Sequence, residues 1–303
     1  MIDQLMKRIE NLANPTVVGL DPTYEMMPQT IRDEMLERYG KTTEAVGRMF
    51  LRFNQELIDH VLDLVPAVKL QIAMYEKYGI EGLKSYIQTI AYAKEKGLLV
   101  IGDIKRGDIA STAAAYAAHL GGVEIEGLQF DLWNEDAVTL NPYMGFDGIE
   151  PFLLPCNQYD KGIFILVKTS NPSGKEIQDL IADGRPVYEH TAKLVSKWGE
   201  LAMGTNGYSR VAAVVGATYQ EQGLELRKKM PHTFFLIPGY GAQGASGEDI
   251  KGYFDRDGRG CVVNSSRGII AAYQKDSKFG AHRFAEAARE AVLVMKRDLE
   301  GIS

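Results

Sequence analysis

Short apolar runs rich in β-branched residues recur along the chain, each ending in polar residues and each followed by a segment of helical periodicity. Eight runs stand out: Thr16–Asp21, Ala67–Gln71, Leu98–Lys105, Ala137–Asn141, Gly162–Lys168, Arg210–Thr218, Phe234–Gly239 and Gly260–Ser266. Most are close to continuously hydrophobic. A strand wetted on one face alternates apolar and polar residues. A strand covered on both faces does not, and parallel sheets are covered on both faces. The intervening segments are amphipathic: in Met49–Val65, residues Phe50, Phe53, Leu57, Val61 and Leu64 fall near one helical face, a stripe suited to packing on a barrel. The chain has no linker, low-complexity segment or composition break. Eight strand–helix units without interruption predict an α/β fold, a (β/α)8 TIM barrel, as a single domain over 1–303. A doubly wound open sheet is the alternative that the alternation leaves open. The connections after the first and fifth runs are roughly 40 residues each, so they are expected to hold extra helices rather than open loop.

Polar residues are concentrated where these runs end. Asp21, Lys69, Asp103, Lys105, Lys168 and Ser170 all fall there, and in a TIM barrel the C-terminal rim of the strands carries the active site. A charge at the end of a buried strand must be paired, solvated or functional. The densest stretch is Asp103-Ile104-Lys105-Arg106-Gly107-Asp108-Ile109-Ala110-Ser111-Thr112. Side chains alternate along a strand, so Asp103 and Lys105 are expected on one face, with Lys69 reaching Asp103 from the neighbouring strand end. Asp108 opens the helix that follows, where a carboxylate suits the helix N-terminus. Read singly, Asp-x-Lys is an ion-paired rim and Asp108 a helix cap. Together with Lys69 and Thr112 they form an array of two lysines and two aspartates, which a rim or a cap does not require.

A second constellation follows the seventh run: Pro238-Gly239-Tyr240-Gly241-Ala242-Gln243-Gly244-Ala245. It contains G-x-G-x-x-G, yet it lies late in the chain, and no acidic residue ends a following strand where a dinucleotide ribose would need one. Glycines that let backbone approach a phosphate account for it better. The eighth run ends in Asn264-Ser265-Ser266-Arg267-Gly268. TIM barrels frequently bind phosphate with the loops after strands seven and eight, and Arg267 supplies the forked cation that phosphate geometry favours.

Composition narrows the partners. At 45% hydrophobic and 24% charged residues the chain is ordinary globular protein. Its net charge of −6 provides no basic field for nucleic acid, so an anionic substrate must meet local positive charge. The two cysteines, Cys156 and Cys261, form no C-x-x-C pair and fit core thiols in a reducing cytosol. Met1-Ile2-Asp3-Gln4 lacks the positive start and apolar stretch of a signal peptide. No run approaches the ~18 apolar residues of a membrane span, so a cytoplasmic protein is expected. His60, His119, His190, His232 and His282 share no ligand spacing, and neither H-E-x-x-H, a P-loop nor G-x-S-x-G occurs. No metal and no organic cofactor are expected.

The run from Asp103 to Thr112 resembles the D-x-K-x-x-D-I-x-x-T motif of orotidine 5′-phosphate decarboxylases, and matches it fully. The likeness extends from Gly19-Leu20-Asp21-Pro22 to Ser266-Arg267-Gly268 and is greatest to the longer, bacterial-type subgroup, which carries K-R-G-D-I-A-S-T-A. The resemblance implies a fold, an activity and residue roles. Lys105 would donate a proton to C6 of the pyrimidine, Asp103 would face the departing carboxylate, and Lys69 would hold Asp103 and contact the ribose. Asp108, Ile109 and Thr112 would reach the neighbouring site of a homodimer. Asp21 would bind ribose hydroxyls and Ser170 the pyrimidine edge. Pro238, Gln243, Gly244 and Arg267 would form the phosphate end. Two flanking aspartates favour the charged form of Lys105, and a fixed ammonium in a dry pocket can stabilise a carbanion that has no π-system to absorb it. Two other readings stay open: a magnesium-dependent sugar-phosphate decarboxylase or aldolase on the same barrel, and a non-catalytic binder of a phosphate ligand.

Overall fold

The computed structural model describes residues 1–241, 244–275 and 278–301. All eight expected strands are present: β1 (Thr16–Gly19), β2 (Ala67–Gln71), β3 (Leu99–Arg106), β4 (Ala137–Leu140), β5 (Gly162–Lys168), β6 (Ser209–Val215), β7 (Thr233–Ile237) and β8 (Cys261–Ser265). Each pairs parallel with its neighbours in the chain, and β8 returns to β1. Thr16 sits opposite Val263 and Val17 opposite Asn264, so no edge is left and the open-sheet alternative falls. Asp21, Asn141, Thr218, Gly239 and Ser266 lie beyond the hydrogen-bonded strands. They belong to the loops of the rim, because the apolar run and the ladder stop before the polar residues do.

Alternation along the strands builds two cores. Ala67, Leu99, Ile101, Phe164, Leu236 and Val262 fill the barrel, while Val68, Val100, Ile163, Ile165 and Val263 face the helices outside. The inner core also takes Ile2, Leu5 and Met6 from the helix Ile2–Leu12, which thereby stoppers the N-terminal end of the strands. Asp3 pins that helix by accepting from the Thr205 N–H at 2.8 Å, the Thr205 hydroxyl at 2.9 Å and the Asn206 N–H at 3.0 Å.

The connection after β1 holds the helices Gln29–Tyr39 and Thr43–Val61, as its length required. The second is capped by Thr42, whose hydroxyl accepts from the Ala45 N–H at 3.2 Å, and it stacks Phe53 on Phe284 at 4.8 Å between ring centres. The connection after β5 holds the short helix Lys175–Gln178, a hairpin (Ile181–Ala182 with Arg185–Pro186) and the helix Val187–Gly199. A second hairpin, Val123–Ile125 with Leu128–Phe130, follows the helix Ala110–Gly121. Among the described residues no helix is long and apolar enough to cross a membrane.

One rim residue differs from expectation. The pairing of β5 with β6 shifts register at Lys168, and its buried ammonium turns into the helix layer. There it pairs with Asp179 and lies over the rings of Tyr219 at 4.4 Å and Tyr188 at 5.1 Å. Lys168 staples its connection to the barrel and takes no part in the mouth.

Candidate active site

The mouth is organised by a break in β3. Gly102 pairs with Val138, but the next paired residue is Arg106, opposite Leu140. Asp103, Ile104 and Lys105 are therefore left facing Thr139 alone, and Lys105 adopts φ +46°, a left-handed conformation uncommon outside glycine. Such irregularities re-aim side chains. The shared face expected for Asp103 and Lys105 is realised: Lys105 Nζ donates to Asp103 Oδ1.

Asp103 is buried, and its carboxylate is saturated. Oδ2 accepts from Lys69 Nζ at 2.9 Å and Gln71 Nε2 at 3.1 Å. Oδ1 accepts from Lys105 Nζ and, at 2.8 Å, from the Thr139 hydroxyl. A carboxylate offers about four acceptor positions, and all four are used. Burial alone would raise the Asp103 pKa, but Lys69 and Lys105 outweigh it and hold the carboxyl below its ordinary range. Burial likewise pulls the Lys69 ammonium down, and Asp103 and Asp21 more than reverse it. Both groups are thus held charged. Lys105 is 43% exposed in its side chain and has this one ion pair among the described residues, so hydrogens of its ammonium remain for a ligand.

Asp21 lies just past β1. Its Oδ1 accepts from the Gln71 N–H at 3.0 Å and stands 3.6 Å from Lys69 Nζ, while Oδ2 accepts from the Ser266 hydroxyl at 2.6 Å. Gly19 makes this closeness possible, since a Cβ there would sit 1.9 Å from Ser266 Oγ. Asp21, Lys69 and Asp103 line a cavity of about 480 Å³. Pro238, Gly239, Tyr240 and Arg267 line it too, as do Met26 and Met74. Gly239, Gly241 and Gly244 take φ of +96°, +68° and +92°, which L side chains rarely adopt, and the Gly244 N–H closes a turn on the Gly241 carbonyl at 3.0 Å. The Arg267 guanidinium has no ion pair among the described residues. Gln243 lies outside the described residues.

The remaining expected residues sit apart from this cluster. Asp108 precedes the helix N-cap Ile109 and turns its carboxylate onto the Ile109 N–H at 2.8 Å. It is therefore not the helix cap, and it touches neither lysine of its own chain among the described residues. Ile109 and Thr112 are exposed. Ser170 packs against Gly216 at the end of β6, where its carbonyl accepts from the Thr218 hydroxyl at 3.2 Å, off the cavity wall. Gln71 and Thr139 at the mouth escaped the sequence reading, and Asn264 and Ser266, named there at the end of the eighth run, were given no role of their own. Period-two alternation from Lys69 points to Gln71, and from Ala137 to Thr139. The carboxamide oxygen of Asn264 is buried without a hydrogen-bond partner among the described residues.

Known proteins share this architecture along almost the whole chain. Residues 15–280 match the family described as orotidine 5′-phosphate decarboxylase / HUMPS. The orotidine 5′-phosphate decarboxylase of Rhodopirellula baltica is 43% identical over 98% of this chain and 98% of its own. That of Clostridium kluyveri is 44% identical over 100% and 98%. The solved OMP decarboxylase of Leishmania donovani has a TM-score of 0.71 at 29% identity, covering 97% of this chain and 98% of that one. The match is therefore one of sequence and of fold along almost the whole chain, and the chain belongs to the orotidine 5′-phosphate decarboxylase / HUMPS family.

Proposed function

We propose that this chain, as one barrel unit, decarboxylates orotidine 5′-phosphate to uridine 5′-phosphate, the last step of de novo pyrimidine nucleotide synthesis, without metal or organic cofactor. The observation that carries the reading is Asp103, on the cavity wall with Lys69, held between Lys69 and Lys105. Arg267 and the glycine loop would take the phosphate, Asp21 the ribose hydroxyls and Ser170, after loop movement, the pyrimidine edge. The bond from C6 to the carboxylate breaks and its electron pair stays on C6. Lys105 Nζ stabilises that charge and delivers a proton to C6, and solvent reprotonates the amine. Carbon dioxide leaves beside Asp103. Fixed charges that need no reorganisation stabilise such a carbanion far better than water does.

The saturation of Asp103 supports metal-free chemistry over the magnesium-dependent alternative, because no lone pair remains for a cation. The full set of charges argues against a mere binder. The test is incubation of the purified protein with orotidine 5′-phosphate, with and without EDTA, following pyrimidine absorbance. Equal turnover in both arms is expected. Loss with EDTA and recovery with magnesium would transfer the case to the alternative.

The reading includes a homodimer in the cytoplasm. Asp108 and Thr112 stand clear of their own array, and exposed apolar side chains cluster in the segments that follow, Ile125 at 58%, Leu128 at 65% and Tyr143 at 84%, as an interface requires. Both cysteines are free and buried, which fits a reducing compartment. Mixing inactive Lys105→Ala and Asp108→Ala chains should restore roughly a quarter of the sites if each site draws on two copies; no restoration would sink the shared site.

A further inference from the structure

The gap in the ladder between β3 and β4 raises a question of hydrogen bonding. Backbone groups freed from a ladder must find other partners, and here the partner is a side chain. Thr139 is 1% exposed, and its hydroxyl accepts from the Lys105 N–H at 3.0 Å while donating to Asp103 Oδ1 at 2.8 Å. The directions need no sight of hydrogens. A carboxylate cannot donate and an amide N–H cannot accept, so the chain runs from Lys105 N–H through the Thr139 hydroxyl to the Asp103 carboxylate. A hydroxyl has one donor and two acceptor positions, enough for both bonds.

Each end of that chain matters to the reaction. Lys105 holds φ +46°, a conformation that persists in a non-glycine residue only where its surroundings enforce it. With β4 giving it no ladder bond there, the hydroxyl is what ties the Lys105 amide down. At the other end it fixes the carboxylate that Lys69 and Lys105 share. We propose that Thr139 is a positioning residue of the decarboxylation, its hydroxyl holding Lys105 in the left-handed conformation and Asp103 in one orientation, so that the ammonium is aimed at C6. The inference rests on the reading of Lys105 as proton donor. Valine would keep the shape and remove both bonds, letting Lys105 relax towards extended backbone and carry its ammonium off line, and small misplacements of a reacting group are costly.

The test compares Thr139→Val with Thr139→Ser. The valine variant should lose about 10²-fold in kcat with KM within about threefold, whereas serine, which keeps the hydroxyl, should stay within about fivefold of wild type. Hydrogen exchange at the Lys105 amide reads the same bond without turnover: exchange should quicken at least ~10-fold in the valine variant and not in the serine one. Should valine fold poorly, Thr139→Ala gives the same reading in smaller volume. A hydroxyl-free variant with wild-type kcat, serine as impaired as valine, or unchanged Lys105 exchange in the valine variant overturns the proposal. A wild-type protein inactive on orotidine 5′-phosphate would instead overturn the proposed function, and the exchange comparison would still decide whether the Thr139 hydroxyl holds the Lys105 amide.

Discussion

The two ends of the barrel hold their cations in opposite ways. At the N-terminal end of β7 and β8, the buried Arg227 gives all five of its N–H bonds to backbone carbonyls, of Tyr253, Met230, Thr233 (twice) and Gly260, between 2.8 and 3.2 Å, and lies 3.7 Å over the Phe235 ring. At the C-terminal end, Lys69 and Lys105 are held by carboxylates. A guanidinium matched by neutral dipoles has nothing left to offer a ligand. Lys69 is held charged by Asp103 and Asp21 and lines the cavity, while the exposed Lys105, with Asp103 as its ion-pair partner among the described residues, keeps ammonium hydrogens for a ligand. The first arrangement joins strands. The second holds charge where a substrate can use it.

The comparison breaks most sharply on Lys105→Ala. Removing a preorganised charge costs ~10²–10³-fold and removing a proton donor ~10²–10⁴-fold. With both on one group, kcat is expected to fall at least ~10³-fold, while the thermal midpoint moves little because the side chain is 43% exposed. Steady-state kinetics beside calorimetry checks it, and comparable losses in both would mean that the mouth is as structural as the base. Arg227→Met should do the reverse. It removes five hydrogen bonds from four buried carbonyls, of which Met230, Gly260 and Tyr253 keep a second donor in the Thr233 N–H, the Phe235 N–H and the Cys261 thiol, at a cost of about 2–4 kcal/mol, and lowers the midpoint by several degrees with kcat per folded molecule unchanged. A fall in kcat without loss of stability would erase the division between the two ends.

How much of this was legible in the sequence follows from the same division. The barrel was readable because parallel strands buried on both faces leave long apolar runs, and all eight appear where those runs lie. The two hairpins were not, because Ile125, Leu128 and Ile181 are exposed and strands of two or three residues leave no periodicity. At the mouth, Asp103, Lys105, Lys69 and Asp21 could be placed because folding alone seldom puts a charge at the end of an apolar run. Lys168 obeyed the same rule and broke it, since a register shift that no sequence pattern announces turns it away. Thr139 passed for an ordinary β-former. Its importance comes from the break opposite it, which only the pairing of β3 with β4 displays.

The smallest effect concerns pH and bears on the electrostatic half of the comparison. The Asp103 carboxyl is held below 3.8, so its contribution to stability is present above that pH and lost as pH falls through its folded value. The Lys69 ammonium is held above 10.5, so its contribution is present below that pH and lost as pH rises through its folded value. From about pH 5 to 9 both are complete, and neither gives a slope. The difference in urea unfolding free energy between wild type and the double variant Lys69→Met with Asp103→Asn should therefore stay constant within about 0.5 kcal/mol across that range. It should begin to change only below about pH 5, where Asp103 starts to bind its proton in the unfolded chain. A steady drift through neutrality would mean that one member of the array titrates there, and that the charges at the mouth are less firmly held than their contacts imply.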